Sequence, residues 1–288
     1  MNAPTTISTH RRIRYKTMGH GHGPIIRLMS PGDLGRILKP FVFLDLFLPE
    51  AARIGDMPLH PHSGIATVTV LTEGDLRFDD PVSGSGTIGY GGVEWMRAGG
   101  GVWHGKEMSQ GTSPRIKGFQ LWLALPPELE NAAVDSQYIE AADMPVAGPA
   151  TVILGEWAGA VSPVRAPAGI NYLLVALAPH ESWTYTPPTE HSVAWLAISH
   201  GGLTGDLVAQ SGELAILEGT GAIPLQASAT GARFVVASAI EHGHDLVMGT
   251  YSVHTNKEAL QQGEKRIVEL AQRLTEQGAS GPTPVFRG

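Results

Sequence analysis

A chain of 288 residues is long enough for one large or two medium domains, at roughly 150 residues each. Lys and Arg number 20 against 27 Asp and Glu, a net charge of −7, which argues against the basic face of a dedicated nucleic-acid binder. Cysteine is absent, so disulfides, thiolate-bound zinc, iron–sulfur clusters and thiol nucleophiles are excluded together.

No apolar run reaches the roughly 18 residues of a membrane span. The first twelve residues lack the apolar core of a signal peptide, so a cytoplasmic location is expected. Gly (36) and Pro (21) are abundant and charged residues make up only 16%, a composition of short strands and tight turns that excludes a coiled coil.

In chain order, His10, Arg11, Arg12, Arg14 and Lys16 form a basic cluster that reads as a solvated terminus. Gly19-His-Gly-His22-Gly reads as a loop. Phe41–Phe47 is strongly apolar, and Ile65–Leu71 is a β-branched strand closed by the turn Gly74-Asp75. Gly84-Ser-Gly-Thr-Ile-Gly89 matches a dinucleotide fingerprint, but Asp79-Asp80-Pro81 precedes it and Tyr90-Gly-Gly follows, so it reads as a glycine-rich hairpin turn. Gly92–Arg97 and Gly118–Leu125 are strand-like. Asp143–Pro149 then has linker composition. Further strands are expected at Ala150–Leu154, Tyr172–Ala178, Val193–Ile198, Glu213–Leu217 and Phe234–Ala237. Strands at this spacing, with little helical periodicity, predict a sandwich or barrel. The one expected helix is C-terminal: Thr255 and Glu258 have capping-box spacing, Leu260, Ile267, Leu270 and Leu274 share a face, and Gly278 is the expected stop.

The chemistry concentrates in His60-Pro61-His62. Two His at i and i+2 on an extended segment project to one side, and the proline keeps the segment extended. His104 follows in Ala98-Gly-Gly-Gly-Val-Trp-His104-Gly-Lys-Glu107, where the glycines permit a sharp turn. Three imidazoles with a carboxylate at Glu107 suit iron, manganese, nickel, copper or zinc. The bland alternative is three unrelated histidines, since twelve in the chain make chance pairs common. His242-Gly-His244 has the same spacing with no strong strand after it, and the second half otherwise offers only His191 and His200 near its expected strands.

These motifs resemble the pirin family of the cupin superfamily. His60-Pro-His-Ser-Gly64 and Ala98-Gly-Gly-Gly-Val-Trp-His104 carry the resemblance, with Phe41-Val-Phe-Leu-Asp45, Glu94-Trp-Met96, Gln120-Leu-Trp122 and Thr255-Asn-Lys-Glu258. The resemblance implies an all-β fold of two cupin-type jelly-roll β-barrels packed face to face, with a C-terminal helix. The metal-bearing domain would span 1–145 and a metal-free domain with the helix 146–288. It also implies iron(II) on His60, His62, His104 and Glu107, and a quercetin 2,3-dioxygenase-like reaction on a flavonol and dioxygen with Glu107 as base. Phe43, Trp95, Trp103 and Trp122 would wall the substrate pocket. Two departures from the family pattern stand out. His104-Gly-Lys-Glu107 is one residue longer than the family's His-x-Glu, and Ala66 stands where a Glu is usual, removing an acid from the site's surroundings. The alternative is a redox-sensitive, metal-binding regulator that acts through a protein partner. Neither reading involves direct contact with nucleic acid or membrane, and the family implies a monomer.

Overall fold

The computed structural model describes residues 10–50, 53–54, 57–276 and 285–286. Its fold is all-β: two jelly-roll units of the cupin type packed face to face, with one C-terminal helix. All pairings between the named strands are antiparallel. A seven-stranded sheet runs, from edge to edge, through Asp135–Ile139, Val93–Arg97, Ile65–Glu73, Lys117–Ala124, Phe41–Phe47, Ile25–Met29 and His20–His22. The larger, nine-stranded sheet is built around Val193–Thr204, Ile223–Ala239 and Ile170–Leu177. Its edge is the N-terminal strand Arg12–Thr17, paired with Leu214–Glu218. At the junction, Val146–Ala147 already pairs with residues 150 and 151 of the second sheet.

The alternation of residues along Ile65–Glu73 explains both packing and site. Successive side chains in a strand point to opposite faces. Ala66, Val68 and Val70 therefore join the core between the two sheets, with Phe119, Leu121 and Trp95 on one side and Tyr172, Trp195 and Val235 on the other. Thr67 and Thr69 turn inward, toward Glu94 and the first unit's own cavity. Phe41 meets Trp195 edge-on across the interface, with ring centroids 5.3 Å apart. Each such buried side chain contributes about 1.5–3 kcal/mol of transfer free energy, so this shared core fixes how the units face one another.

Three local expectations are corrected. Arg11 is buried rather than solvated; its guanidinium donates to the carbonyl of His191 and, at 3.5 Å, to that of Ser192. The glycine run at 84–89 is no turn: Gly84–Ile88 is itself a strand against Leu76–Asp80. The turn lies just before it, where Asp80 Oδ2 accepts from the backbone N–H groups of Val82 and Ser83. The helix, Lys257–Glu276, is capped by Asn256, whose Oδ1 accepts from Ala259 N at 2.8 Å. Thr255 is drawn away from the capping role by Glu130, which accepts both its hydroxyl and its backbone N–H at 2.7 Å. The expected stop, Gly278, lies outside the described residues.

Candidate metal centre

His60–His62 and Val102–His104 are short strands that pair antiparallel with His60 opposite His104, Pro61 opposite Trp103 and His62 opposite Val102. Directly opposed residues share a face, and so does the residue two positions on. All three imidazoles consequently lie on one side of the ribbon. Ring centroids stand 4.4 Å apart for His60 and His104, 5.0 Å for His60 and His62, and 5.2 Å for His62 and His104. One ligand atom from each falls within 4.8 Å of the others. The turn after His104 needs glycine: Gly105 has φ +124°, and a Cβ there would sit 2.8 Å from the Pro58 carbonyl oxygen and 3.1 Å from His60 Nδ1.

Each ring is oriented through its Nδ1. His60 Nδ1 is 3.0 Å from the Pro58 carbonyl, His62 Nδ1 is 3.1 Å from the Tyr251 carbonyl, and His104 Nδ1 is 2.6 Å from Glu107 Oε1. An Nδ1–H that donates to an oxygen leaves the Nε2 lone pair free, the tautomer that metal-bound imidazoles adopt. His104 Nε2 is buried and has no hydrogen-bond partner among the described residues. Burial, and then the neighbouring His104, lower the pKa of His60 and lower that of His62 well below the usual value. Both rings are thereby kept neutral at pH 7. Three imidazoles that each bring a ligand atom within 4.8 Å of the others, with one nitrogen an orphan, fit a divalent transition metal.

Glu107 is not brought into this group. Burial would raise its pKa, but the hydrogen bond and charge of His104, with nearby backbone N–H groups, hold it below the ordinary carboxylate value. Oε1 faces His104 Nδ1, while Oε2 accepts from the backbone N–H groups of Gly105 at 2.8 Å and Lys106 at 2.9 Å. The carboxylate thus stands behind His104, on the far side from the open Nε2. In His104-Gly-Lys-Glu107 the chain curls back so that both intervening amides point at Oε2.

The acid that sequence reasoning passed over is Glu94. It is buried; Oε1 accepts from Thr67 Oγ1 at 3.2 Å, and Oε2 has no hydrogen-bond partner among the described residues. Burial pushes its pKa up to about 7, with the charge of Glu107 acting in the same direction. Ala66 faces the core between the sheets, so an acid at 66 would point away from the histidines here. The available signal was register: Glu94 sits opposite Thr69 in the neighbouring strand, on the inward face.

Of the four aromatic residues expected around a substrate, two are at the centre. Phe43 stacks on Trp122 with centroids 4.1 Å apart, and Trp122 meets His62 edge-on at 4.8 Å. Trp95 is instead buried between the sheets. Trp103 is turned to the helix, where its Nε1 donates to the Ile267 carbonyl at 3.0 Å. One step along the strands from the Phe43–Trp122 stack lies a cavity of about 580 Å³, walled by Asp45, Phe47, Met57, Thr69, Met108 and Gln120 among others. Arg27 lies over the Phe43 ring at 4.0 Å and forms an ion pair with Asp45.

Residues 26–123 match the Pirin family model. A pirin-like protein of Caulobacter vibrioides is 42% identical over 128 residues, 44% of this chain and 46% of that protein. A Pseudomonas aeruginosa protein provisionally named quercetin 2,3-dioxygenase is 34% identical over 127 residues, 43% of this chain and 44% of its own length. The matched region thus spans about half the length of these curated relatives. A crystal structure of quercetin 2,3-dioxygenase from Acinetobacter baumannii shares the fold across 94% of this chain and 99% of its own, with TM-score 0.75 and 23% identity.

Proposed function

The chain carries a pirin-family domain over residues 26–123, and from that premise we propose that it is a metal-dependent oxygenase acting on quercetin-like flavonols with dioxygen. One observation carries the reading. His60, His62 and His104 converge with every Nδ1 engaged by an oxygen, leaving their Nε2 lone pairs for one ion. Iron(II) is the ion we assign; nitrogen donors alone would equally accept manganese, nickel, copper or zinc. The similarity to the Pseudomonas aeruginosa protein supports the flavonol assignment. We assign the metal to the half that ends near residue 145. The half from 146 to 288 is proposed to be metal-free, with His191 hydrogen-bonded to Ser238 and His200 to Glu73.

When bound, the ion would act as a Lewis acid that acidifies a coordinated hydroxyl. The chain's own residues would do the rest. Phe43 and Trp122 offer a stacked aromatic wall beside His62, suited to a flat polyphenol. Glu94, with an unpartnered oxygen and a pKa of about 7, is matched to accept a proton near neutral pH. Glu107, the base that the family resemblance implies, would act through His104 instead, holding that ring's orientation and raising its basicity.

The test is elemental analysis of the purified protein, followed by quercetin turnover and oxygen uptake, with His60→Ala/His62→Ala as control. Near-stoichiometric metal that the control lacks, together with turnover, is expected. Metal binding without flavonol turnover would remove the oxygenase reading in favour of the redox-sensitive regulator, and equal metal in both proteins would remove the site.

A further inference from the structure

The segment that follows the second sheet returns to the first unit and encloses the two ligand-bearing strands. Val247–Met248 and Val253–His254 form a small ribbon, and its outward loop lays the Tyr251 carbonyl 3.1 Å from His62 Nδ1. Val253 N donates to the Ser63 carbonyl at 3.3 Å, and Ser63 and Ser252 form a β-bridge. The helix then touches the other ligand strand, accepting Trp103 Nε1 at the Ile267 carbonyl. Beyond it, Val285–Phe286 pairs with Trp103 and His104 along that strand's free edge.

At the centre of these contacts is a polar cluster beside His62. Glu130 Oε2 is 3.1 Å from His254 Nδ1, His254 Nε2 is 2.9 Å from Ser63 Oγ, and Ser63 Oγ donates to Ser252 Oγ at 2.8 Å. The connectivity acid, imidazole, hydroxyl is that of an activated serine nucleophile. Access excludes that chemistry. Ser63, His254, Glu130 and Ser252 are all buried, and the helix backbone closes over them so tightly that a Cβ on Gly263 would lie 2.5 Å from Ser63 Oγ and 2.7 Å from His254 Nε2. No acyl group can reach Ser63.

A fully bonded buried polar cluster specifies one geometry and is costly to break. Here the geometry it specifies is the path of the backbone directly after His62. The geometry points to the arm spanning residues 247–276 as the element that positions the ligand histidines, with His254 as its positioning residue; this rests on the metal reading above. The first unit's site would then be complete only when the last part of the chain, beyond the second sheet, has docked.

The experiment titrates the metal-free full-length protein with cobalt(II), reading both the dissociation constant and the ligand-field spectrum. His254→Ala is expected to weaken binding by about 10- to 100-fold, the range for outer-shell partners of metal ligands, and to shift the spectrum. Leu196→Ala is the control: it empties a buried site in the core of the second sheet that belongs to neither the arm nor the proposed centre. It should lower stability while changing the dissociation constant less than about twofold. Ser63→Ala, which removes only one hydroxyl, is the milder variant if His254→Ala fails to fold, and several-fold weakening is expected. Wild-type-like affinity and spectrum in the cluster variants, or equal weakening in Leu196→Ala, would overturn the inference. Failure of the wild type to bind cobalt(II) more tightly than His60→Ala/His62→Ala would instead overturn the metal reading, and this inference with it.

Discussion

Replacing Glu107 by Gln separates a ligand from a buttress. In the native site one oxygen accepts from His104 Nδ1 at 2.6 Å and the other from two backbone amides at 2.8 and 2.9 Å. Glutamine has nearly the same shape but only one acceptor oxygen. If that oxygen keeps the amides, the side-chain NH2 faces an Nδ1–H; if it keeps the imidazole, two amide donors are left facing a donor. A hydrogen bond to a charged group is worth about 1.5–3 kcal/mol, and its loss is felt directly by the orientation and basicity of His104. At about 1.4 kcal/mol per tenfold, that converts to roughly 10- to 100-fold weaker metal binding, the loss expected for an outer-shell carboxylate. Competition against a chelator of known affinity would measure it. Unchanged affinity would show that the His104–Glu107 contact does not tune the site. Loss as complete as in His60→Ala/His62→Ala would show that the carboxylate itself reaches the ion, refuting the geometry argued above.

Three further outcomes are expected. Glu94 has a native pKa of about 7 against an ordinary 4.5, so the native state holds a proton from pH 5 to 7 that the unfolded chain has released. Its contribution to stability is therefore largest below pH 4.5 and falls by about 3 kcal/mol as pH rises to 7. In urea denaturation, the stability of Glu94→Gln relative to wild type should rise across that interval; a constant difference would refute the raised pKa. Trp195→Ala empties the core between the sheets and should cost about 3–5 kcal/mol in the same assay, while leaving metal affinity unchanged. Trp122→Ala should raise the KM for quercetin with little change in bound metal, read by steady-state kinetics beside elemental analysis; an unaltered KM would take Trp122 out of the substrate wall.

Much of this fold is legible in the sequence because its signals are local. The β-branched run at Ile65 and the apolar run at Phe41 form strands where expected, and the helix forms over the predicted 3.6-residue stripe. The His-Pro-His pair is equally local, since proline and an i, i+2 spacing fix both rings on one side before any tertiary contact exists. What the sequence conceals depends on partners distant in the chain. Thr255 looks like a helix cap until Glu130, 125 residues away, engages both its donors. Arg11 looks solvated until the second sheet supplies the His191 and Ser192 carbonyls.

The placement of the acids is the most instructive case, because a one-residue change in parity moves a side chain through the sheet. Position 66 follows the histidine pair closely enough that its alanine reads as a lost acid. In the folded strand that position belongs with Val68 and Val70, in the core between the two sheets. A carboxylate there would be buried without the histidines as neighbours, at a cost of several kcal/mol. The inward face of the neighbouring strand is the place from which an acid can address the cavity, and Glu94 occupies it, opposite Thr69. The fold therefore holds a buried carboxyl group on that inward face, close enough to His104 for their charges to interact, and has an alanine where proximity in sequence suggested an acid. Register between strands decides which of two acids is useful, and it is set by the sheet as a whole.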